Sequence, residues 1–167
     1  MPRATVRAAI ADYLTSQQIP FVGAVFAHAP KTTTQGDFDD TQLSTVGSGA
    51  VIYVFLGEQS EERIRLIGNQ LGGKQRTYKV SLICILQSKK RNAQDADADN
   101  DTFLDSLVGA IQASRTAGTT GAVFQWGEGD TVGGVDISIR AEMPRINRYQ
   151  MTQIFSIVEV IAIERNT

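Results

Sequence analysis

With a single cysteine, Cys84, and a single histidine, His28, the sequence has little material for metal or nucleophilic chemistry. One thiol cannot form an internal disulfide framework, and a zinc site built mainly from thiolates is excluded with it. Cys84 sits in the apolar run Leu82-Ile83-Cys84-Ile85-Leu86 and reads as a small buried hydrophobe. His28 lies between alanines beside Pro30, with no Cys or carboxylate at ligand spacing, so neither a histidine-based triad nor a zincin helix is supported. No run of eighteen or more apolar residues is present, and Met1-Pro2-Arg3-Ala4-Thr5 leads into an amphipathic pattern, not a leader. The expected setting is the cytosol, or a particle assembled there, with no membrane contact. No Gly-rich loop ends in Lys-Ser or Lys-Thr, and Gly127-Glu128-Gly129 and Gly133-Gly134 stand in turns without a following helix to hold phosphate. No catalytic constellation, cofactor or metal site is expected.

A net charge of −2 argues against a dedicated nucleic-acid binder. At 167 residues, 42% hydrophobic, the chain fits one globular domain spanning 1–167.

The periodicities are clear in places. Val6, Ala9, Ile10, Tyr13 and Leu14 recur at helical spacing from Arg3 to Gln18, and Pro20 stops that helix. Phe21 to Ala29 reads as a brief extended segment, and Lys31 to Ser48 as a long polar loop. Ala50–Leu56 and Arg63–Ile67 read as the two arms of a hairpin, with turn chemistry in Gly57-Glu58-Gln59-Ser60.

Thr77 to Gln87 alternates, with Tyr78, Val80, Leu82, Cys84 and Leu86 on one face of a central strand. Ser88 to Asp101, charged throughout, reads as a solvated loop. Asp99 or Asp101 then caps a helix whose buried stripe is Phe103, Leu104, Leu107, Val108 and Ile111. Ala122–Trp126 is a short strand, and Val135–Met143 a half-buried one with Val135, Ile137, Ile139, Ala141 and Met143 inward. Arg148–Ile163 is a long strand near the sheet centre, with room for a bulge. The predicted class is α+β: an antiparallel-rich sheet of about five to six strands with two main helices packed on one face.

The aspartates of Asp95-Ala96-Asp97-Ala98-Asp99-Asn100-Asp101 copy the spacing of a calcium loop. Glycine is missing at Asn100, however, and the bidentate glutamate at Ser106. The segment is better read as a solvated acidic loop that caps the following helix. A stretch of opposite sign precedes it: Arg63, Arg65, Lys74, Arg76, Lys79, Lys89, Lys90 and Arg91 hold half of the 16 Lys and Arg residues, with no Asp or Glu between Arg63 and Arg91. Such a strip suits either ordinary strand-edge solvation or a contact with an acidic partner surface.

Element order and the segment Gly72-Gly73-Lys74-Gln75-Arg76-Thr77-Tyr78-Lys79-Val80-Ser81-Leu82-Ile83 together resemble the tail-terminator (tail-completion) proteins of long-tailed bacteriophages. The resemblance covers most of the chain. It implies a non-enzymatic virion protein that forms a ring, usually hexameric. The ring caps the tail-tube protein, ends tube polymerisation and offers a docking surface to the head connector (stopper), while DNA passes through without specific binding. Heterologous ring contacts suit a chain that carries a basic strip (Arg63, Arg65, Lys74, Arg76) and separate acidic segments (Asp37, Asp39 and Asp40; Asp95 and Asp97). Another head-tail connector or tail-tube component would share much of this pattern; a small-molecule-binding α+β domain is the rival from a different class.

Overall fold

A computed structural model describes residues 2–30, 47–63, 73–89, 92–114, 116–117, 124–126, 137–146 and 150–166. The elements run α1 (Arg3–Ser16), β1 (Val22–Phe26), β2 (Ser48–Arg63), β3 (Lys74–Ser88), α2 (Ala93–Ala113), β4 (Phe124–Trp126), β5 (Ile137–Ala141), β6 (Arg145–Ile146) and β7 (Thr152–Asn166). They form one mixed sheet of order β1-β2-β3-β7-β4, with β5 and β6 also pairing along β7. Among the described residues β1 runs parallel to β2, and the other pairings are antiparallel.

Alternation builds the core. Val54, Leu82 and Val158 lie side by side across the three long strands, as do Leu56, Val80 and Val160. These residues join Val6, Ile10 and Leu14 of α1 and Phe103, Leu107 and Ile111 of α2 in a single hydrophobic cluster. Both helices therefore cover the same face, α1 over β1 and β2, α2 over β3 and β7. The α+β expectation holds, with seven strands instead of five or six because β6 is a two-residue bridge.

α1 begins after Pro2, whose carbonyl accepts from Thr5 and Val6, and ends one turn before Pro20 with Gln18 in the left-handed region at φ 50°. Gly47, at φ 94°, takes a conformation that costs a side chain dearly, and its carbonyl accepts from Lys89 at 2.7 Å as β2 and β3 close together.

Several sequence expectations are corrected. Gly57–Ser60 is not a hairpin turn: β2 continues through it, and the hairpin partner is β3, paired from Ser48↔Ser88 to Arg63↔Lys74. A bulge sits there instead, with Gly57 and Glu58 opposite Lys79. The acidic run is not a loop either. α2 starts at Ala93, capped by Asn92, whose Oδ1 accepts from the Gln94 amide at 3.0 Å. Ala96, Asn100, Phe103, Leu104, Leu107 and Ile111 form its buried side, and Asp95, Asp97, Asp101 and Asp105 point to solvent. Aspartates are cheap in a first turn and on an exposed face, which is why the run tolerates helix. Val135 lies outside the described residues. Among the described residues the strand read around it runs Ile137–Ala141, and Ile139, Ala141 and Met143, read as inward, are exposed because α1 and α2 pack mainly on β1, β2, β3 and β7. β7 pairs with β3 over its whole length in one unbroken register, without a bulge.

Candidate functional site

The bulge decides which charges meet. Up to Leu56 the even-numbered residues of β2 face the helices. The extra residue at Gly57-Glu58 reverses this, so Gln59 lies beside Tyr78 and Glu61 beside Arg76. The carbonyls at the bulge are taken up by α1: the Arg3 guanidinium donates to Leu56 O at 2.6 Å and Gly57 O at 3.1 Å, and also to Gln59 Oε1 at 2.9 Å.

Beyond the bulge lies a cross-strand charge network. Glu61 accepts from Lys74 Nζ and from Arg76 Nε, both at 2.8 Å. Arg76 Nη1 also lies 3.9 Å from Glu164 Oε2, a buried carboxylate oxygen to which the Tyr78 hydroxyl donates at 2.7 Å. Hydrogen bonds from Lys74 and then Arg76 hold the Glu61 carboxyl down to about 2 from an ordinary 4.5. The Glu61 hydrogen bond in turn pushes the Arg76 guanidinium up. Further along, Lys79 Nζ stands 3.3 Å from Glu159 Oε2.

Three of the eight strip residues, Lys74, Arg76 and Lys79, are thus answered by carboxylates from the neighbouring strands, which a linear reading misses because Glu61, Glu159 and Glu164 lie outside the strip in sequence. Of the residues singled out for contacts, Lys74 and Arg76 are engaged with Glu61, and Arg63 is exposed at the end of β2. Asp95 and Asp97 are exposed on α2 and take no part in the ion pairs of that network. Arg65, Asp37, Asp39 and Asp40 lie outside the described residues, as do Lys90 and Arg91.

Opposite the helices, the sheet presents Tyr53, Phe55, Ile83, Ile85, Phe155 and Ile157, half-buried except for Phe55, which is exposed. Phe26 stacks on Tyr53 at 5.2 Å, and His28 packs on Phe26 at 5.2 Å while its Nδ1 lies 2.8 Å from Ala29 O. Burial pushes the Tyr53 hydroxyl up in pKa. His28 is therefore part of an aromatic cluster at the β1–β2 edge.

The far end of the sheet is polar. Ser48, Ser88 and Thr152 lie in one row across β2, β3 and β7 and are buried. Ser48 Oγ donates to Asp99 Oδ2 of α2 at 2.6 Å and lies 2.9 Å from Ser88 Oγ. Asn100 Oδ1 and the Ser156 hydroxyl are buried without a hydrogen-bond partner among the described residues. Cys84 is buried, and that burial pushes its thiol far above the ordinary value. Among the described residues, no three His, Cys, Asp or Glu side chains gather as metal ligands, and no helix is long and apolar enough to cross a membrane. What the surface offers is contact chemistry: apolar rows, paired charges and an exposed acidic helix face. No protein-family model matches the chain, and no curated protein matches it significantly.

Proposed function

We propose that the chain is a phage tail-terminator subunit, a structural virion protein with no catalytic role. It would assemble in the host cytoplasm as a ring, usually hexameric, at the head-proximal end of the tail. The ring caps the tube, ends its polymerisation and receives the head connector, and DNA passes through it without specific binding. One observation carries this reading. The two helices bury one face of the sheet, and the other keeps rows of aliphatic and aromatic side chains with no helix over them among the described residues. A surface of that kind gains free energy when a neighbouring protein covers it. The element order and the Gly72–Ile83 segment support the same reading through their resemblance to tail terminators.

The test is the solution mass of the purified protein by light scattering over a concentration series, repeated with the cognate tail-tube protein. A discrete ring, formed alone or only on tube ends, supports the proposal. A monomer at every concentration that also ignores tube protein overturns it.

A further inference from the structure

The helix layer stops short of one edge of the sheet. β5 and β6 lie on the far side of β7 from β3, beyond the strands on which α1 and α2 pack. Ile139 pairs with the core residue Val158 and so faces the helix side, yet it is 46% exposed. Met143 and Ile146, a few residues on, are 82% and 71% exposed. Together they are three of the four large hydrophobics exposed among the described residues, which makes this edge a patch and not scatter.

An open edge invites strand addition, but this one is blunted. β5 is five residues long, Pro144 has no N–H to offer, and Arg140, Glu142 and Arg145 line the segment. A partner must therefore dock on side chains. Its charge is legible too. Glu142 and Arg145 pair with each other at 3.2 Å, whereas Arg140 is exposed and meets no carboxylate among the described residues. The matching charge lies on the same chain, where the outer face of α2 presents Asp95, Asp97, Asp101 and Asp105 with no cation paired to them among the described residues.

We infer that the β5–β6 edge, built on Ile139, Met143 and Ile146 with Arg140 beside them, docks a second copy of the chain through the acidic outer face of α2. The contact is heterologous, one patch against a different patch, which is the kind that closes rings. The inference rests on the ring reading above and specifies where neighbouring subunits touch.

Two sets of full-length variants test it, each checked for native circular dichroism and an unchanged melting temperature, which the high exposure of these side chains allows. Met143→Glu with Ile146→Glu places acid opposite acid, and should reduce the ring mass to monomer. Arg140→Glu should raise the assembly dissociation constant about tenfold or more at low salt, and adding Asp101→Arg should recover most of that loss. Wild-type mass in both Met143→Glu/Ile146→Glu and Arg140→Glu would show that this edge is not the contact, leaving the ring reading intact. Loss of assembly in Arg140→Glu without recovery in the Asp101→Arg pair would remove α2 as the opposing surface. A wild-type protein that stays monomeric with and without tube protein would sink the inference and the ring reading together.

Discussion

Trp126 of β4 meets Tyr13 of α1 edge to face, with ring centroids 5.9 Å apart and planes at 83°. The same two side chains hold the end of α2: the indole N–H donates to Ser114 O and the Tyr13 hydroxyl to Ala110 O, both at 2.6 Å. A helix near the start of the chain, a second helix and a short strand at the β7 end of the sheet are thereby fixed at one point. Burial pushes the Tyr13 hydroxyl up in pKa, outweighing a lowering interaction with Ser114, so it remains a donor across the physiological range.

Tyr13→Phe keeps the ring contact and removes only the hydrogen bond, leaving the Ala110 carbonyl without that donor. The expected loss is about 1 kcal/mol, read from urea unfolding with an unchanged denaturant slope. Trp126 is the only tryptophan and 1% exposed, so its emission reports the transition directly and should be blue-shifted in the native protein. Unaltered stability in Tyr13→Phe would mean that water satisfies Ala110 O as well as tyrosine does.

Asn92 caps α2 with its side chain, and it precedes the aspartate-rich first turns. Asn92→Ala should cost about 1 kcal/mol by urea unfolding, whereas Asn92→Asp should be close to neutral. If the alanine variant were as stable as wild type, α2 would be starting at a later residue, as the acidic run read alone suggests.

That run shows where the sequence was legible and where it was not. The stripe Phe103, Leu104, Leu107 and Ile111 and the alternation from Tyr78 to Leu86 are written in long, strictly spaced apolar residues, and both elements appear where the spacing puts them, although Val108, read into that stripe, is only half-buried beside it. The first two turns of α2 bury only Ala96 and Asn100, too small and too polar to register as a periodic face, so the aspartates between them dominate the reading. Gly57-Glu58-Gln59-Ser60 fails for another reason: a bulge and a turn draw on the same residues, and only pairing with β3 tells them apart. The neutralisation of Lys74, Arg76 and Lys79 by Glu61, Glu164 and Glu159 depends on register between strands up to about ninety residues apart in the chain, which no local pattern encodes. Ile139 looks buried by alternation and is exposed because, among the described residues, the helices pack mainly on β1, β2, β3 and β7.

Cys84 lies at the middle of the central strand, with its thiol 1% exposed and pushed up by desolvation. A thiol held protonated and out of reach of solvent does not attack Ellman's reagent. The native protein should therefore show no reactive thiol over minutes, and one per chain in strong urea. Labelling at intermediate urea should follow the tryptophan transition, and labelling well ahead of it would reveal that β3 opens before the rest of the sheet.

Glu61 makes the sharpest pH prediction. Its carboxyl is held near about 2, against an ordinary 4.5, by hydrogen bonds from Lys74 and Arg76. A carboxyl whose folded pKa is depressed favours the native state while it is ionised, so its contribution is complete above about pH 4.5 and fades as pH falls from there toward about 2. Over that window the unfolded chain binds a proton that the folded one refuses. Glu61→Gln removes this linkage, so in a pH titration of unfolding free energy the variant should lose less stability than wild type between about pH 5 and about pH 3, and the two curves should run parallel above about pH 5. Because Glu61 stands at the solvent-exposed end of the network, the difference should shrink in high salt. Parallel acid slopes at low salt would mean that the Glu61 contacts with Lys74 and Arg76 do not persist in solution, and that the bulge at Gly57-Glu58 sets strand register without setting the charge pairing.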